Sequence, residues 1–312
     1  MWRPHGTGLD TITAVADEPD PIVCRGLTRH YGSTIGIDDL DLVVRRGTVT
    51  GFLGPNGAGK TTVLRLLVGL LRPTRGEAWI GGIPVADPEA RRRIGFMPAD
   101  PAFVGELTGA ANLDLLADLS GAEPTDRARA VELLDFDPRD LGRPVKEYSS
   151  GMVQKLALIQ AVQHRPDVVL LDEPANRLDP LAHHGFENLV RSIAADGRTV
   201  FLSSHVLSEV ESTCDEVAMV RSGRLLMVSS VRELSAAALR RVTIIYRDRP
   251  AELPDGLHDP SVDGLVVTGR VEAHRPAVLR EILRDPVVDD LLVEAAPLEE
   301  TFVHLYREER GA

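Results

Sequence analysis

Apolar and polar positions divide this chain into stretches of different period. Thr48-Val49-Thr50-Gly51-Phe52-Leu53 is a short, mostly apolar run that predicts a buried strand. Val63, Leu64, Leu66, Leu67, Leu70 and Leu71 then recur at helical spacing until Pro73 ends the run. Further along, Asp167-Val168-Val169-Leu170-Leu171 and Arg198-Thr199-Val200-Phe201-Leu202 are apolar and β-branched, as strands covered on both faces are. Between Gly105 and Leu141 the period is helical, carried by Leu113, Leu115, Leu116 and Leu119 and then Val131, Leu133 and Leu134.

The order of elements is a strand-rich start from Ile22 to Val44, a glycine loop with its helix, a mixed segment to about Pro144, and strands alternating with helices to about Ser230. Such alternation predicts an α/β fold, with a largely parallel sheet flanked by helices and an inserted helical subdomain. After Ser230 the character changes. Val242 to Tyr246, Leu265 to Thr268 and Val288 to Val293 read as strands, and Ala277 to Leu283 and Leu298 to Tyr306 as helices. Pro250, Pro254, Pro260 and Pro286 punctuate the links, which predicts a small α+β accessory domain without a chemical motif of its own.

Composition narrows the function classes. At 312 residues and 43% hydrophobic content, one large α/β domain and a smaller second one are expected. The net charge of −12 argues against a broad electrostatic footprint for nucleic acid or anionic membrane surfaces. Cys24 and Cys214 match no metal-ligand spacing or redox pair, so two reduced, structural thiols of a cytosolic protein are expected. The segment through Pro21 lacks an apolar h-region and reads as a flexible arm. No run approaches the roughly 18 apolar residues of a transmembrane helix, so any work at a membrane goes through a partner. His183-His184, His258, His274 and His304 have no metal-ligand spacing.

The chemistry concentrates in three places. Gly54-Pro55-Asn56-Gly57-Ala58-Gly59-Lys60-Thr61, followed by Thr62, satisfies the phosphate-binding pattern GxxxxGK[ST] between the predicted strand and helix. Its glycines let backbone N–H groups surround phosphates, Lys60 reaches the β and γ phosphates, and the Thr61 hydroxyl can hold Mg²⁺. Val168-Val169-Leu170-Leu171-Asp172-Glu173 ends a hydrophobic strand in two acids, at the end of the sheet where open α/β folds bind ligands. Asp172 is the candidate metal ligand and Glu173 the candidate general base. Tyr148-Ser149-Ser150-Gly151-Met152 precedes the helix Val153 to Gln163, and places Ser149 and Gly151 at a helix N-terminus suited to an anion. Alone, that third element reads as an ordinary helix cap.

In this order and spacing, with Ser203-Ser204-His205 downstream, the residues from Ile22 to about Val228 resemble the nucleotide-binding subunits of ATP-binding cassette (ABC) transporters. The resemblance implies a P-loop NTPase cassette over 22–230 with its helical subdomain at about 100–165, beside the flexible arm over 1–21 and the accessory domain over 236–312 read from the sequence pattern. It implies ATP and Mg²⁺ as cofactors, Tyr31 stacking on adenine, His205 on the γ-phosphate, and Asn176 to Pro180 crossing a dimer interface. Two cassettes, here a homodimer, would close head to tail over ATP, each glycine loop facing the other subunit's signature. The resemblance further implies a cytoplasmic protein held at the inner face of the membrane by separate polytopic permease subunits, with no nucleic acid partner.

Two departures stand out. The strand Ile94-Gly95-Phe96-Met97-Pro98 is followed by Ala99 and Asp100 where the family usually carries a Gln, so that role is absent or passes to Asp100 or water. The usual Leu-Ser-Gly-Gly-Gln appears as Tyr148-Ser149-Ser150-Gly151-Met152, with Ser149 and Gly151 kept. These variants, with the ending Leu298-Glu299-Glu300-Thr301-Phe302, look like the single-cassette ATPases of bacterial multidrug and antibiotic exporters. A soluble ABC-type ATPase acting on ribosomes or DNA is the competing reading, and it usually needs fused cassettes or long coiled coils that are absent here. A regulatory binder without hydrolysis is opposed by Glu173.

Overall fold

The computed structural model describes residues 19–237, 239–248, 253–272 and 276–295. The expected final helix from Leu298 to Tyr306, the ending Leu298 to Phe302, most of the N-terminal arm, and His274 and His304 lie outside the described residues.

Strands β1 (Ile22–Tyr31) and β2 (Thr34–Val44) form a hairpin, and the chain then enters β3 (Val49–Leu53), the glycine loop and α1 (Lys60–Leu67). It continues through β4 (Arg75–Ile80), β5 (Ile83–Pro84), α2 (Pro88–Arg92) and β6 (Ile94–Met97). Three helices follow, α3 (Gly109–Ser120), α4 (Arg127–Leu133) and α5 (Ser150–Val162). The chain then alternates through β7 (Val168–Asp172), α6 (Pro180–Ala195), β8 (Thr199–Ser204), α7 (Leu207–Thr213), β9 (Glu216–Arg221) and β10 (Arg224–Ser230). The last described elements are α8 (Val231–Ala237), β11 (Leu239–Tyr246), β12 (His258–Asp263), β13 (Val266–Glu272), α9 (Pro276–Ile282) and β14 (Val288–Ala295).

These strands make three sheets, ordered β2-β1-β4-β5, β10-β9-β3-β8-β7-β6 and β12-β13-β11-β14. The first and third are antiparallel. In the second, β9, β3, β8, β7 and β6 run parallel and β10 closes the edge antiparallel. The apolar runs read as doubly covered strands are so covered. On β7, Val169 and Leu171 face one core with α5 and α6, while Val168 and Leu170 face a second core with α1 and the first sheet. On β8, Val200 and Leu202 take the first core and Phe201 the second. The period of two along a strand makes this division, and Phe52 of β3 lies beside Phe201 of the neighbouring β8 in the second core, at 5.4 Å between ring centroids.

Register does the rest of the positioning. Leu53 pairs with Ser204 and Asp172 with Ser203, and Gly54 N–H donates to Ser204 O at 3.2 Å. Gly54, Glu173 and His205, each following a parallel strand, therefore leave the sheet at the same end.

Some local expectations change. The helix after the glycine loop stops at Leu67 instead of running to Pro73. Gly69 adopts φ 71°, the Leu70 and Leu71 N–H groups both turn back to Arg65 O at 2.9 and 3.1 Å, and Leu70 is 65% exposed. A left-handed glycine ends the helix before the apolar period does. On α3, Leu113 is fully buried but Leu115 and Leu119 face solvent, so only part of the leucine stripe packs. The polar segment of β12, exposed along most of its length, gave no strand signal. It is an edge strand, where a proline such as Pro260 and charged residues are tolerated.

Cys24 and Cys214 are free and buried, in separate cores. Burial, reinforced by Asp41, pushes the Cys24 thiol up to about 12, and burial with Asp215 and Glu209 nearby raises that of Cys214 as well.

Gly95 of β6 lies so close to α5 that a Cβ there would overlap the Ala161 carbonyl and press on Pro166 Cγ. Gly95→Ala is expected to cost about 1–3 kcal/mol of stability, measured by urea denaturation, and an unchanged midpoint would contradict this packing.

Candidate functional site

The loop between β3 and α1 is built for close approach by a ligand. Gly57 and Gly59 adopt φ 80° and 106°, where side chains are rarely tolerated. A Cβ on Gly59 would overlap the Gly36 carbonyl, and one on Gly54 the Val220 carbonyl. Gly59 caps α1 with no side-chain hydrogen bond, and the first turn carries no acid. The orphan N–H groups and positive end of α1 are thus left for an external acceptor. Pro55, Asn56 and Gly57 are exposed, Ala58 is buried, and Thr61 and Thr62 are half-buried.

Lys60 is only 5% exposed. Its Nζ donates to Gly54 O at 2.8 Å and Pro55 O at 3.3 Å and lies 3.4 Å from Glu173 Oε1. A buried ammonium is costly unless paired, and these three oxygens meet that demand.

Asp172 closes β7 and is almost fully buried. Ser203 Oγ donates to its Oδ1 at 2.7 Å and accepts from the Glu173 N–H at 2.9 Å. Oδ2 accepts no hydrogen bond from a described residue. With the Thr61 hydroxyl at the start of α1, it supplies the hard oxygen donors that Mg²⁺ takes, so these residues fit that ion.

Glu173 sits at φ 51°, a left-handed conformation uncommon outside glycine. Its Oε2 accepts from Asn176 Nδ2 at 2.6 Å and lies 3.1 Å from His205 Nδ1. His205 follows β8 in a turn fixed by Ser204, whose Oγ accepts from Val206 N–H at 2.9 Å and donates to Glu209 Oε2 at 2.7 Å. The structure therefore brings Lys60, Asp172, Glu173 and His205 together, although they span 145 positions from Lys60 to His205. Asn176 and Ser203, each placed by the sequence only within a longer motif, join them through hydrogen bonds.

Ser149 caps α5, its Oγ accepting from Met152 N–H at 3.2 Å. Ser149 and Ser150 are exposed. Neither Ser149 nor Gly151 hydrogen-bonds to the glycine loop among the described residues. Tyr148 anchors this cap: its hydroxyl donates to Asp140 O at 2.6 Å and its ring lies 5.9 Å from that of Phe136. Tyr31, at the end of β1, is 41% exposed. The Arg29 guanidinium lies 4.9 Å from its ring centroid, and its edge passes so close to Gly36 that a Cβ there would stand 2.8 Å away. Asp100 accepts from Arg177 at 2.9 Å, on the segment that also holds Asn176.

His183 and His184 lie 3.6 and 3.5 Å from Glu187 within α6, and the described residues contain no cluster of three or more metal-binding side chains.

Comparison with known proteins gives a consistent result. The family model described as ABC transporter matches residues 37–176. The daunorubicin resistance ATP-binding protein DrrA3 of Streptomyces coeruleorubidus is 37% identical over 308 residues, covering 93% of this chain and 96% of that protein. An uncharacterized ABC transporter ATP-binding protein of Nostoc is 37% identical over 205 residues, and here the match spans 64% of this chain and 61% of the relative's length. Among solved structures, an ATP-binding subunit of an ABC transporter superposes with a TM-score of 0.63 at 29% identity, covering 68% of this chain and 91% of that one.

Ser203 is the residue on which both acids lean. Ser203→Ala would leave the buried Asp172 carboxylate and the Glu173 N–H without this partner, and is expected to destabilise the protein by about 1–3 kcal/mol. Chemical denaturation measures this, and a midpoint equal to that of the unsubstituted protein would refute it.

Proposed function

The chain belongs to the family of ABC transporter ATP-binding proteins, and on that premise we propose that it is the ATP-hydrolysing subunit powering a membrane exporter. The observation that carries the reading is the Glu173 carboxylate within 3.4 Å of both Lys60 and His205, at the sheet end where the glycine loop opens.

ATP would lie with its phosphates in the loop Gly54-Pro55-Asn56-Gly57-Ala58-Gly59, against the N-terminus of α1 with Lys60, Thr61 and Thr62, and its adenine on Tyr31. The Arg29 guanidinium behind that ring supports the assignment, because it holds the phenol in place. Mg²⁺ would be held by Thr61 and Asp172, and when bound it neutralises charge on the phosphates during transfer.

With ATP in place Lys60 gains phosphate oxygens as partners, which frees Glu173 Oε1 from its ion pair. Glu173 then accepts a proton from the attacking water while Asn176 and His205 hold Oε2. His205, 37% exposed at its side chain, would offer its other ring nitrogen, Nε2, to the γ-phosphate while Nδ1 stays on Glu173. Ser149, exposed, and Gly151, half-buried, neither hydrogen-bonded to its own glycine loop among the described residues, would complete the site of a second cassette. ATP would favour the closed pair because the partner's signature adds contacts available only on closure.

The partners are a second copy of this chain and separate polytopic permease subunits at the inner face of the cell membrane. No helix among the described residues is long and apolar enough to cross a membrane. Residues 22–230 are proposed as the cassette, with its helical subdomain at about 100–165, and 236–312 as an accessory domain. The proposed substrate class is a drug, antibiotic or lipid-like molecule, and the name of the daunorubicin resistance relative supports its drug member.

Glu173→Gln is expected to lower ATP turnover at least about a hundredfold and to trap an ATP-bound dimer, read by phosphate release and by size-exclusion chromatography with ATP. Unchanged turnover would sink the general-base assignment. Co-purification in detergent with a polytopic membrane protein is the expected partner result, and stable association with ribosomes instead would overturn the exporter reading.

A further inference from the structure

Gln154, in the first turns of α5, is 1% exposed and takes no direct part in the chemistry described above. Its Nε2 donates to Pro174 O at 2.9 Å and lies 3.4 Å from Glu173 O. Its Oε1 is buried and has no hydrogen-bond partner. A buried amide satisfied at one end only is a cost that an apolar chain of the same length would avoid. What this glutamine supplies is therefore the donor end and its two backbone acceptors.

Those acceptors belong to a turn that needs support. Glu173 and Arg177 are both non-glycine residues at positive φ, 51° and 71°, and such strain persists only where the surroundings impose it. The turn is gripped on both sides. Ser203 of β8 accepts the Glu173 N–H at 2.9 Å, while Gln154 of α5 takes the carbonyl side, where Pro174 has no N–H of its own to offer. The first turn of α5 also approaches the far end of the turn, since a Cβ on Gly151 would stand 3.4 Å from Arg177 O.

We infer that Gln154 is a positioning residue for ATP hydrolysis: its amide locks the Glu173–Pro174 carbonyls to the helix that carries Ser149 and Gly151, and so aims the Glu173 carboxylate. The inference rests on the general-base reading of Glu173. The amide also makes α5 and the catalytic turn one mechanical unit, so a displacement of the signature end of α5 reaches Glu173 directly. A carboxylate released from this grip would still lie near Lys60 and His205, but at the wrong angle to a water, and misplacement of that kind costs about ten- to a hundredfold in rate.

Gln154→Met keeps the length and volume of the side chain and removes the donor. The expected result is a fall in kcat of about tenfold or more with KM for ATP within about twofold, the pattern of a group that acts on the chemical step alone. The thermal midpoint is expected to change little, because removing the unpaired Oε1 offsets the loss of the donor to Pro174 O. In a Glu173→Gln background the same substitution is expected to leave the ATP-trapped dimer intact, since the group it positions is already disabled. A kcat within about twofold of the unsubstituted protein overturns the inference. So does loss of the trapped dimer in the double variant, which would make Gln154 a support of the signature. Should Met at this position prevent folding, Gln154→Asn retains the amide one methylene short of its acceptors and is expected to give the same split of kcat and KM. An unsubstituted protein without ATP turnover, or a Glu173→Gln variant with full turnover, overturns the proposed function itself. A flat Gln154→Met result beside an inactive Glu173→Gln overturns the positioning role alone.

Discussion

The central parallel strands are buried on both faces, and the placement of the functional groups depends on that. Because β3, β7 and β8 are covered by α1 and the first sheet on one side and by α5 and α6 on the other, none can slip by a residue without exchanging its two apolar sets. A locked register means locked strand ends. Leu53, Asp172 and Ser204 stop at nearly the same level, so the groups that follow them meet by construction.

Within that frame the site is an electrostatic balance. Lys60 is buried and Glu173 half-buried, and the carboxylate helps make the burial of the ammonium tolerable. Glu173 has further partners in Asn176 and His205, and Asp172 is held by Ser203. A ligand bearing phosphate and Mg²⁺ would replace the internal pair with stronger, geometrically specific contacts, which is how binding energy can be spent on rearranging the Glu173 carboxylate. Two of the seven non-glycine residues in left-handed backbone among the described residues, Glu173 and Arg177, lie in this turn, and its Glu173–Pro174 end is held by neighbours on two different elements.

Much of this was legible along the chain. The doubly apolar strands 168–171 and 199–202, the glycine loop with Lys60, and the acid pair ending a hydrophobic run are all local patterns, set by period and by the few residues that tolerate special backbone. The helix after the loop was overread because Leu70 and Leu71 keep the apolar period past Gly69, where a left-handed turn decides the end. The edge strand β12 was missed because one exposed and polar along most of its length has no alternation to display. Ser203, Asn176 and Gln154 carry no motif that would single out their contacts. Each acts through one hydrogen bond or two to a partner distant in sequence or on a turn whose shape is not local.

By itself, the sequence determined the chemical inventory and the sheet that would carry it. Phosphate-loop glycines, a terminal Asp-Glu pair and the hydrophobic periods depend on stereochemistry within a few residues, and these are read in order. Only the tertiary structure decided which of the chemically competent groups touch: that Lys60 rests on Glu173, that Asp100 is taken by Arg177, and that a buried glutamine one helix away grips the turn after β7. Those contacts are set by strand register and by how closely helices approach the sheet. Both are properties of the whole packed core, not of any single segment.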